Sequence, residues 1–255
     1  MYNNILLPVS NPLNSKYTLK ASIELLDPAG RIIILSLIKE GEAYPHKSKT
    51  YTTKTNLLTD LVKIAQSYSV DVVPEMVNVS SVADAILDRM IKYDVDLTIL
   101  GYSGQSTLYK LRYGDIIYPV LRNASSEVLL SNFKRESTFE NILIPSAGYT
   151  HSIKAFEIAK LLAASAHGHI TLLHVTEEAE GHAENYLKKM ASMYEDVSVE
   201  IRSGSVADQI ITASQEYDLL MMGASERSRP ASIFFGTVVD KVIAQTICNV
   251  FVVKV

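Results

Sequence analysis

The sequence predicts an α/β protein that contains the same fold twice, each time as a five-stranded parallel sheet with helices on both faces. Two observations support this prediction. Short apolar runs alternate with segments of helical periodicity along the whole chain, and this alternation is typical of parallel sheets with right-handed crossovers. In addition, motifs of the first half recur in the second half. The run Asn4–Pro8, for example, returns as Asn141–Pro145 with a single change.

The composition describes a chain that is large enough for two domains and carries little net charge. It has 255 residues, of which 47% are hydrophobic, and a formal charge of -4. A chain without a basic field is not expected to have nucleic acid as its main partner. Cys248 is the only cysteine, which excludes an internal disulfide and fits a reducing cytosol.

Neither a leader nor a membrane span is predicted. Lys16 is the first basic residue, so the N-terminal apolar run lacks the charged start of a signal peptide. The apolar runs are also shorter than the roughly 18 residues that a membrane-spanning helix needs. We therefore expect a cytoplasmic protein that does not insert into a membrane.

The elements of the first half follow from periodicity. A helix is predicted through Leu19, Ile23 and Leu26 to the turn at Pro28–Gly30, and the run Arg31–Ile38, apolar on both faces, predicts a covered parallel strand. Residues Gly41–Thr55 are polar and are predicted to form a loop. The later elements are a helix through Leu57 and Leu61, a strand at Val70–Val77, a helix opened by the capping box Ser81–Asp84, and strands at Asp96–Leu100 and Glu127–Leu130.

The spacing between matching motifs locates an insertion. Pro8 and Pro145 are 137 positions apart, whereas Ser81 and Ser205 are 124 apart. Most of this difference falls between the second strand and the third helix, so the Gly41–Thr55 loop is predicted to be the insert of the first copy. The polar stretch 131–140 is predicted to link two domains, at 1–132 and 139–255.

A glycine frame follows the fourth strand of each half. Gly101 and Gly104 are followed, after nine further residues, by Gly114 and Asp115. The context predicts a strand, a glycine loop and the start of a helix, where backbone N–H groups can converge on a phosphate. The second copy has Gly223, Glu226, Gly236 and Thr237 at the corresponding positions.

These features together resemble the universal stress protein family in its tandem form. The resemblance rests on the duplicated halves, the first strand that ends in proline, and the frame G-x-x-G-x9-G-[S/T]. It implies two Rossmann-like domains of the adenine nucleotide alpha hydrolase-like type. It also implies a pseudo-dimer in which Glu127–Ser131 and Asn249–Val253, the last strands of the two halves, lie against each other.

The resemblance implies nucleotide-binding positions. In members that bind ATP, an aspartate after the first strand holds the adenosine end, and the frame with its final hydroxyl holds the phosphates; other members bind no ATP. ATP with Mg²⁺ is therefore the candidate ligand, with no catalytic residue and no dedicated metal site. The matching positions are Ser10, Gly101, Gly104, Gly114 and Asp115 in the first half, and Gly223, Gly236 and Thr237 in the second.

Both halves depart from that pattern. Ser10 and Ala147 replace the aspartate, Asp115 replaces the final hydroxyl of the first frame, and Glu226 replaces a glycine of the second. A carboxylate about 4 Å from a phosphate charge costs about 1 kcal/mol in water and about 4 kcal/mol at an effective dielectric constant of 20. Mg²⁺ at Asp115 could compensate, as could the cationic pairs Lys110 and Arg112, or Arg227 and Arg229.

Structural explanations stand beside the functional ones. The glycines could serve a loop that needs positive φ and close packing, and Asp115 could be a helix N-cap. His169 and His174 are five apart on one predicted strand and so face opposite sides, which favours hydrogen-bonded roles over metal binding. The lysines of the predicted loop, Lys47, Lys49 and Lys54, are expected to be solvated, with contact to an anion as the alternative.

Two functions follow as hypotheses. The first is a cytosolic stress-response regulatory protein whose first half binds an adenine nucleotide. The second is a nucleotide-independent module that associates with itself or with a protein partner such as a membrane transporter. Residues 223–228 resemble the variant loop of universal stress protein domains that are attached to, or encoded with, transporters. Without a G-x-S-x-G, Walker A or H-E-x-x-H motif, at most weak ATP hydrolysis is expected.

Overall fold

A computed structural model describes residues 1–10, 12–40, 49–102, 107–132, 138–147, 151–176, 181–224 and 237–254. The described residues form two compact units, the first up to residue 132 and the second from residue 138. Strands and helices alternate in each unit and all paired strands within a unit are parallel, so the predicted fold class is confirmed. The domain limits 1–132 and 139–255 stay a prediction.

The first unit is a parallel sheet with four helices among its described residues. Its strand order is β3-β2-β1-β4-β5. The strands are β1 (Tyr2–Val9), β2 (Leu26–Lys39), β3 (Asp71–Val79), β4 (Leu97–Tyr102) and β5 (Glu127–Asn132), and the helices are α1 (Pro12–Leu25), α2 (Lys49–Ser67), α3 (Val82–Lys92) and α4 (Thr107–Asn123).

The second unit repeats this topology with the order β8-β7-β6-β9-β10. Its strands are β6 (Asn141–Pro145), β7 (His169–Val175), β8 (Val197–Arg202), β9 (Leu219–Ala224) and β10 (Asn249–Lys254), and its helices are α5 (His151–Ala166), α6 (His182–Ala191), α7 (Val206–Ala213) and α8 (Thr237–Gln245). No helix in the described parts of either unit has both the length and the apolar composition needed to cross a bilayer.

The predicted loop at Gly41–Thr55 is wrong from residue 49 onward, because α2 already begins at Lys49. The threonines that suggested a loop are compatible with a helix here. The hydroxyl of Thr55 donates to the carbonyl of Tyr51 at 2.9 Å, and the hydroxyl of Thr59 donates to the carbonyl of Thr55 at 2.9 Å. Such bonds to the preceding turn satisfy the hydroxyls inside a helix. Residues 41–48 lie outside the described part of the chain.

The central strands are covered on both faces, as their continuous apolar runs predict. Residues Ile5–Leu7 and Ile32–Leu35 are fully buried in the first unit, and Ile142–Ile144 and Leu219–Met221 are fully buried in the second. Burial of apolar surface stabilises each sheet at about 25 cal/mol per Å². Because the middle of each sheet is apolar, polar side chains can cluster only near the ends of the strands.

A carboxylate ties the starts of β1 and β4 together. Asp96 Oδ2 accepts hydrogen bonds from the backbone N–H groups of Asn3 and Asn4 at 2.8 and 3.0 Å. The N–H of Asp96 donates to the Asn4 carbonyl at 3.0 Å. The second unit repeats this clamp, because the carboxylate of Asp218 accepts from the N–H of Asn141 at 3.0 Å. The clamp sets where the first and fourth strands of each unit meet.

The helices after β3 and β8 start in different ways. Ser81 is the N-cap of α3, and its hydroxyl accepts from the N–H of Asp84 at 3.3 Å, which confirms the hydroxyl half of the predicted capping box. Ser205 is the N-cap of α7 but makes no side-chain cap bond. The carboxylate of Asp208, in the first turn of α7, accepts hydrogen bonds from the side chains of Lys241 and Ser205. These bonds, the one from Lys241 most strongly, hold the pKa of Asp208 below its usual range.

Glu75 anchors the C-terminal end of α3 to β3. Its carboxylate accepts from Arg89 Nη2 at 3.1 Å, from Lys92 Nζ at 3.2 Å and from the Tyr93 hydroxyl at 2.9 Å. Burial raises the pKa of Glu75, but the bonds from Arg89, Tyr93 and Lys92 outweigh it, so the net pKa is lowered. Together with the Ser81 cap, this cluster anchors α3 at both ends.

Replacing Asp96 with alanine should destabilise the first unit. The change leaves two backbone donors without their acceptor at an edge that water can reach, so we expect the free energy of unfolding to fall by about 1–2 kcal/mol. Urea unfolding measures the loss. Asp88→Ala, which removes an exposed carboxylate of α3, is the charge control and should change the value by less than about 0.5 kcal/mol. Equal losses in the two variants would contradict the clamp.

Glu75→Gln should destabilise the protein at neutral pH but much less in acid. Because the folded-state pKa of Glu75 lies below the ordinary value of 4.5, its stabilising contribution is complete above that value and disappears as the pH falls through the folded-state pKa. Thermal unfolding from pH 7 to pH 3 should therefore show the two proteins converging below about pH 4.5. Glu24→Gln, which removes an exposed pair with Lys20, should show almost no difference at any pH.

Candidate functional site

The strand order of the first unit creates a crevice between β1 and β4. The chain places β2 and β3 on one side of β1, and β4 and β5 on the other, so the connections diverge at this point. Among these strands, β1 and β4 pair at Ile5–Leu97 and Leu6–Thr98, which lie in the middle of β1 and at the start of β4. Ligands of open α/β sheets bind at the carboxyl ends of the strands beside such a switch point.

A cavity of about 490 Å³ lies at this position. Its wall includes the ends of β1, β2 and β4, the first turns of α1 and α3, and parts of α2 and α4. Small-molecule sites typically have volumes of about 300–1,000 Å³. The cavity therefore has the size and the place in the fold that a small-ligand site requires.

Three of the predicted first-half residues line this cavity. Ser10 follows β1, Gly101 lies in β4 and Asp115 lies in α4. Gly114 precedes Asp115 in the same helix. Gly104 lies outside the described residues, so its prediction is not addressed. Residues that are far apart in sequence thus meet at one cavity wall.

The local structure around Asp115 differs from the prediction. Gly114 and Asp115 lie inside α4, which begins at Thr107, so the interpretation of Asp115 as an N-cap is wrong. Leu108–Tyr113 contains no glycine or proline, and a single glycine in a helix costs only about 1 kcal/mol relative to alanine. The helix therefore extends through Gly114 instead of starting after it. The side chains of Lys110 and Arg112 fall outside what the structure describes.

The second-half positions occupy matching places in their own unit. Gly223 in β9 pairs with Val253, as Gly101 in β4 pairs with Ser131. Helix α8 begins at Thr237, which confirms the predicted helix start after the second frame. Gly236, Glu226, Arg227 and Arg229 lie outside the described residues.

Two kinds of glycine can be separated by what a side chain would meet. A Cβ atom at Gly30 would lie 2.8 Å from the Asn3 carbonyl oxygen, and one at Gly168 would lie 2.7 Å from the Glu140 carbonyl oxygen. A Cβ atom at Gly101 would meet Thr18 Cγ2 at 3.7 Å, which is an ordinary contact, and Gly101 does not have positive φ. Close packing and positive φ therefore do not explain the glycine at position 101.

Sequence reasoning did not place two cations at the cavity wall: Lys39 was not considered, and Lys54 was expected to be solvated, with contact to an anion as the alternative. Lys39 ends β2 and Lys54 lies in α2, and both line the cavity. The Lys54 ammonium donates to the carbonyl of Leu37, which holds α2 against the end of β2. Lys54 was assigned to a solvated loop because the threonines around it hid the helix. Continuing the apolar face of Leu57 and Leu61 one turn toward the N-terminus would have placed Lys54 on α2.

The remaining described lining is rich in hydroxyl groups and apolar side chains. Ser15 and Thr18 come from α1, and Ser80 and Ser81 precede α3. Leu37 and Ile86 are among the apolar residues. Among the lining residues that the structure describes, Asp115 is the only carboxylate. This mixture can hold a ligand that has both an apolar ring and polar groups.

The corresponding corner of the second unit contains a hydrogen-bonded cluster. His174 Nδ1 donates to the carbonyl of Ser146 at 2.9 Å, and the hydroxyls of Ser146 and Ser152 are 2.8 Å apart. His169 Nε2 lies 2.8 Å from the Ser198 hydroxyl, so both histidines have the predicted hydrogen-bonded roles. No group of three or more metal-ligating side chains occurs among the residues that the structure describes.

A five-stranded parallel unit that is present twice in one chain, with a cavity at the switch point of the first copy, defines a tandem α/β protein of the doubly wound class. Within that class the chain belongs to the universal stress protein family. The family model matches residues 1–132 and 182–254, which is most of the chain. The resemblance drawn from the sequence is therefore confirmed.

Solved structures support the same fold. A universal stress protein from Archaeoglobus fulgidus is similar over 99% of this chain and 96% of its own, with a TM-score of 0.75 and 19% identity. The cytoplasmic domain of a prokaryotic cation chloride cotransporter is similar over 99% of this chain and 95% of its own, with a TM-score of 0.60 and 13% identity.

A curated relative is a Na⁺/H⁺ antiporter, NhaS5, of Synechocystis sp. It is 23% identical over 256 aligned positions, which cover 94% of this chain. The chain spans only 37% of the length of that antiporter. The similarity thus concerns one part of a larger transport protein.

The two kinds of glycine should respond differently to the same substitution. Gly101→Ala should leave the urea midpoint unchanged or slightly raised, because its Cβ meets only ordinary contacts and the unfolded chain loses freedom. Gly30→Ala should lower the free energy of unfolding by about 1–3 kcal/mol, because backbone atoms must move apart. A large loss at Gly101 would show that the position is required for folding.

Proposed function

We propose that this chain is a cytosolic regulatory protein of the universal stress protein type whose first unit binds an adenine nucleotide. One observation supports the proposal above all. Ser10, Gly101 and Asp115, three positions implied by the family pattern, line a single cavity of about 490 Å³ at the switch point. The chain contributes them from two strand ends and a helix, so their meeting depends on the tertiary fold.

The lining has chemistry that suits a nucleotide. Apolar side chains such as Leu37, Ile86 and Leu100 offer contact surface for a base. The hydroxyls of Ser10, Ser80 and Ser81 offer hydrogen bonds for ribose and phosphate oxygens. The glycine at position 101 leaves the wall of β4 without a side chain, which permits close approach of a ligand to the backbone.

The missing carboxylate at Ser10 changes how ribose is held. The Ser10 hydroxyl can accept a hydrogen bond from a ribose hydroxyl. It lacks the negative charge that makes a hydrogen bond to a carboxylate stronger. Asp115 lies at the same wall and disfavours a phosphate placed against it, unless Mg²⁺ lies between them. We therefore propose binding of moderate affinity, in which Asp115 does not contact a phosphate directly.

Binding without turnover is the proposed activity. The residues that line the cavity include no histidine or cysteine, so its described wall offers neither of these side chains as a general base or nucleophile. Weak hydrolysis of ATP would be the upper limit of any catalysis. A regulatory role fits a site that holds a ligand and reports its presence.

A second candidate function is an interaction module that regulates a transporter. It is supported by the fold similarity to a cotransporter cytoplasmic domain and by the sequence similarity to part of an antiporter. In this alternative the chain acts through its surface and needs no nucleotide. The same scaffold is compatible with both functions, so a direct binding measurement has to separate them.

Calorimetric titration with ATP, with and without Mg²⁺, tests the nucleotide proposal. The parent should bind saturably, and Gly101→Val should weaken binding at least roughly 10-fold because the branched side chain enters the cavity. Gly223→Val makes the same change at the matching strand position of the second unit and should leave the first-unit affinity unchanged. A flat titration of the parent would favour the interaction module.

A further inference from the structure

The charged groups of the first-unit cavity are separated by side. Lys39 and Lys54 come from the end of β2 and from α2, whereas Asp115 comes from α4, the helix that follows β4 in the chain. Strand β1 lies between β2 and β4 in the sheet. Adjacent strands are about 4.8 Å apart, so the ends of β2 and β4 are about 10 Å apart across the sheet. The cavity thus has a cationic end and an acidic end.

From this separation we propose that the phosphate group of the ligand binds at the Lys39–Lys54 end of the cavity, away from the glycine frame. Both lysines line the cavity, so a phosphate there meets two opposite charges. A phosphate beside Gly101 and Asp115 would instead meet a like charge. The inference deepens the proposed function, because it states which end of the same cavity receives the anion.

The structure holds Lys54 in position for this role. Its ammonium donates to the carbonyl of Leu37, another residue of the cavity wall, and the side chain is half-buried against β2. A lysine anchored in this way loses less side-chain freedom on binding than a solvated one does. Lys39 is exposed and adds a second positive charge from the neighbouring strand end.

Hydroxyl groups complete the cationic end. Ser80 and Ser81 follow β3, which is the neighbour of β2 in the sheet, and both line the cavity. The Ser81 hydroxyl already accepts from the N–H of Asp84, so its oxygen is held at the start of α3. The Glu75 cluster fixes the opposite end of that helix. The groups around the proposed phosphate position therefore belong to anchored elements.

The acidic end then receives the uncharged part of the ligand. Asp115 accepts hydrogen bonds and repels anions, which suits ribose hydroxyls or the amino group of a base. Gly101, Ile116 and Ile117 line the same end, where no cationic side chain occurs among the described lining residues. In this arrangement the phosphate binds at the lysine end, so Asp115 can stand where the family pattern has a hydroxyl without preventing ligand binding.

Amide chemical shifts recorded during titration with inorganic pyrophosphate test the location. Shifts should change at Ser80, Ser81 and Val82, with little change at Gly101 and Asp115. The change should disappear in Lys39→Gln, whose side chain is exposed, and in Lys54→Gln. Lys63→Gln alters an exposed lysine of the same helix as Lys54 and should behave like the parent. Changes confined to Gly101 and Asp115, or absent everywhere, would overturn the inference.

Affinities for ATP and adenosine provide the second test. Loss of a hydrogen bond to a charged group should weaken ATP binding roughly 10- to 100-fold in Lys54→Gln. Adenosine binding should stay within about twofold, because adenosine has no phosphate. Equal losses for ATP and adenosine would contradict a phosphate contact. The urea midpoint of each variant, compared with Lys63→Gln, shows whether the fold is preserved.

The outcomes separate the inference from the proposed function. If ATP binds and the lysine variants match the parent, the phosphate position is wrong while nucleotide binding stands. Another outcome is that pyrophosphate binds at the lysine end, ATP binds no more tightly than pyrophosphate, and adenosine does not bind. The anion position then stands and the nucleotide proposal fails. If neither ATP nor pyrophosphate binds, both proposals fail.

Discussion

The pairing of the first strand with the start of the fourth strand is the constraint on which the site depends. Asp96 joins β4 to the first residues of β1 through side-chain and backbone hydrogen bonds, and Asp218 does the same for β9 and β6. Because the registered pairs of β1 and β4 lie next to this clamp, the far ends of the strands border a crevice. The hydrogen bonds at the N-terminal ends of these strands therefore help to set the position of the crevice at their C-terminal ends.

The two copies keep the scaffold and differ where a ligand would lie. Gly30 and Gly168 are both pressed against backbone carbonyls, and the aspartate clamp is repeated. At the ends of the strands the copies diverge. The first unit has an open cavity with two lysines, whereas the same corner of the second unit contains His174 bonded to Ser146. The two copies thus share residues that the fold requires and differ in residues at the ends of the strands.

The fold could be predicted from the sequence because it depends on periodicity, which the apolar runs display directly. The switch-point location of Ser10 and Gly101 followed from the family pattern. The place of Asp115 inside a helix did not, because a glycine beside a carboxylate also fits a helix interior when the preceding residues favour a helix. The helical setting of Lys54 was missed for a related reason, since threonines that bond to the previous turn resemble loop residues in composition.

The contrast between Gly30 and Gly101 also bears on how the family can evolve. Position 30 admits no side chain in any descendant that keeps this backbone, whatever its function. Position 101 has room for a small one, so packing against this backbone does not exclude it. Under the proposed nucleotide site, the rate at which alanine or serine enters position 101 relative to position 30 would record the lineages in which ligand binding was lost.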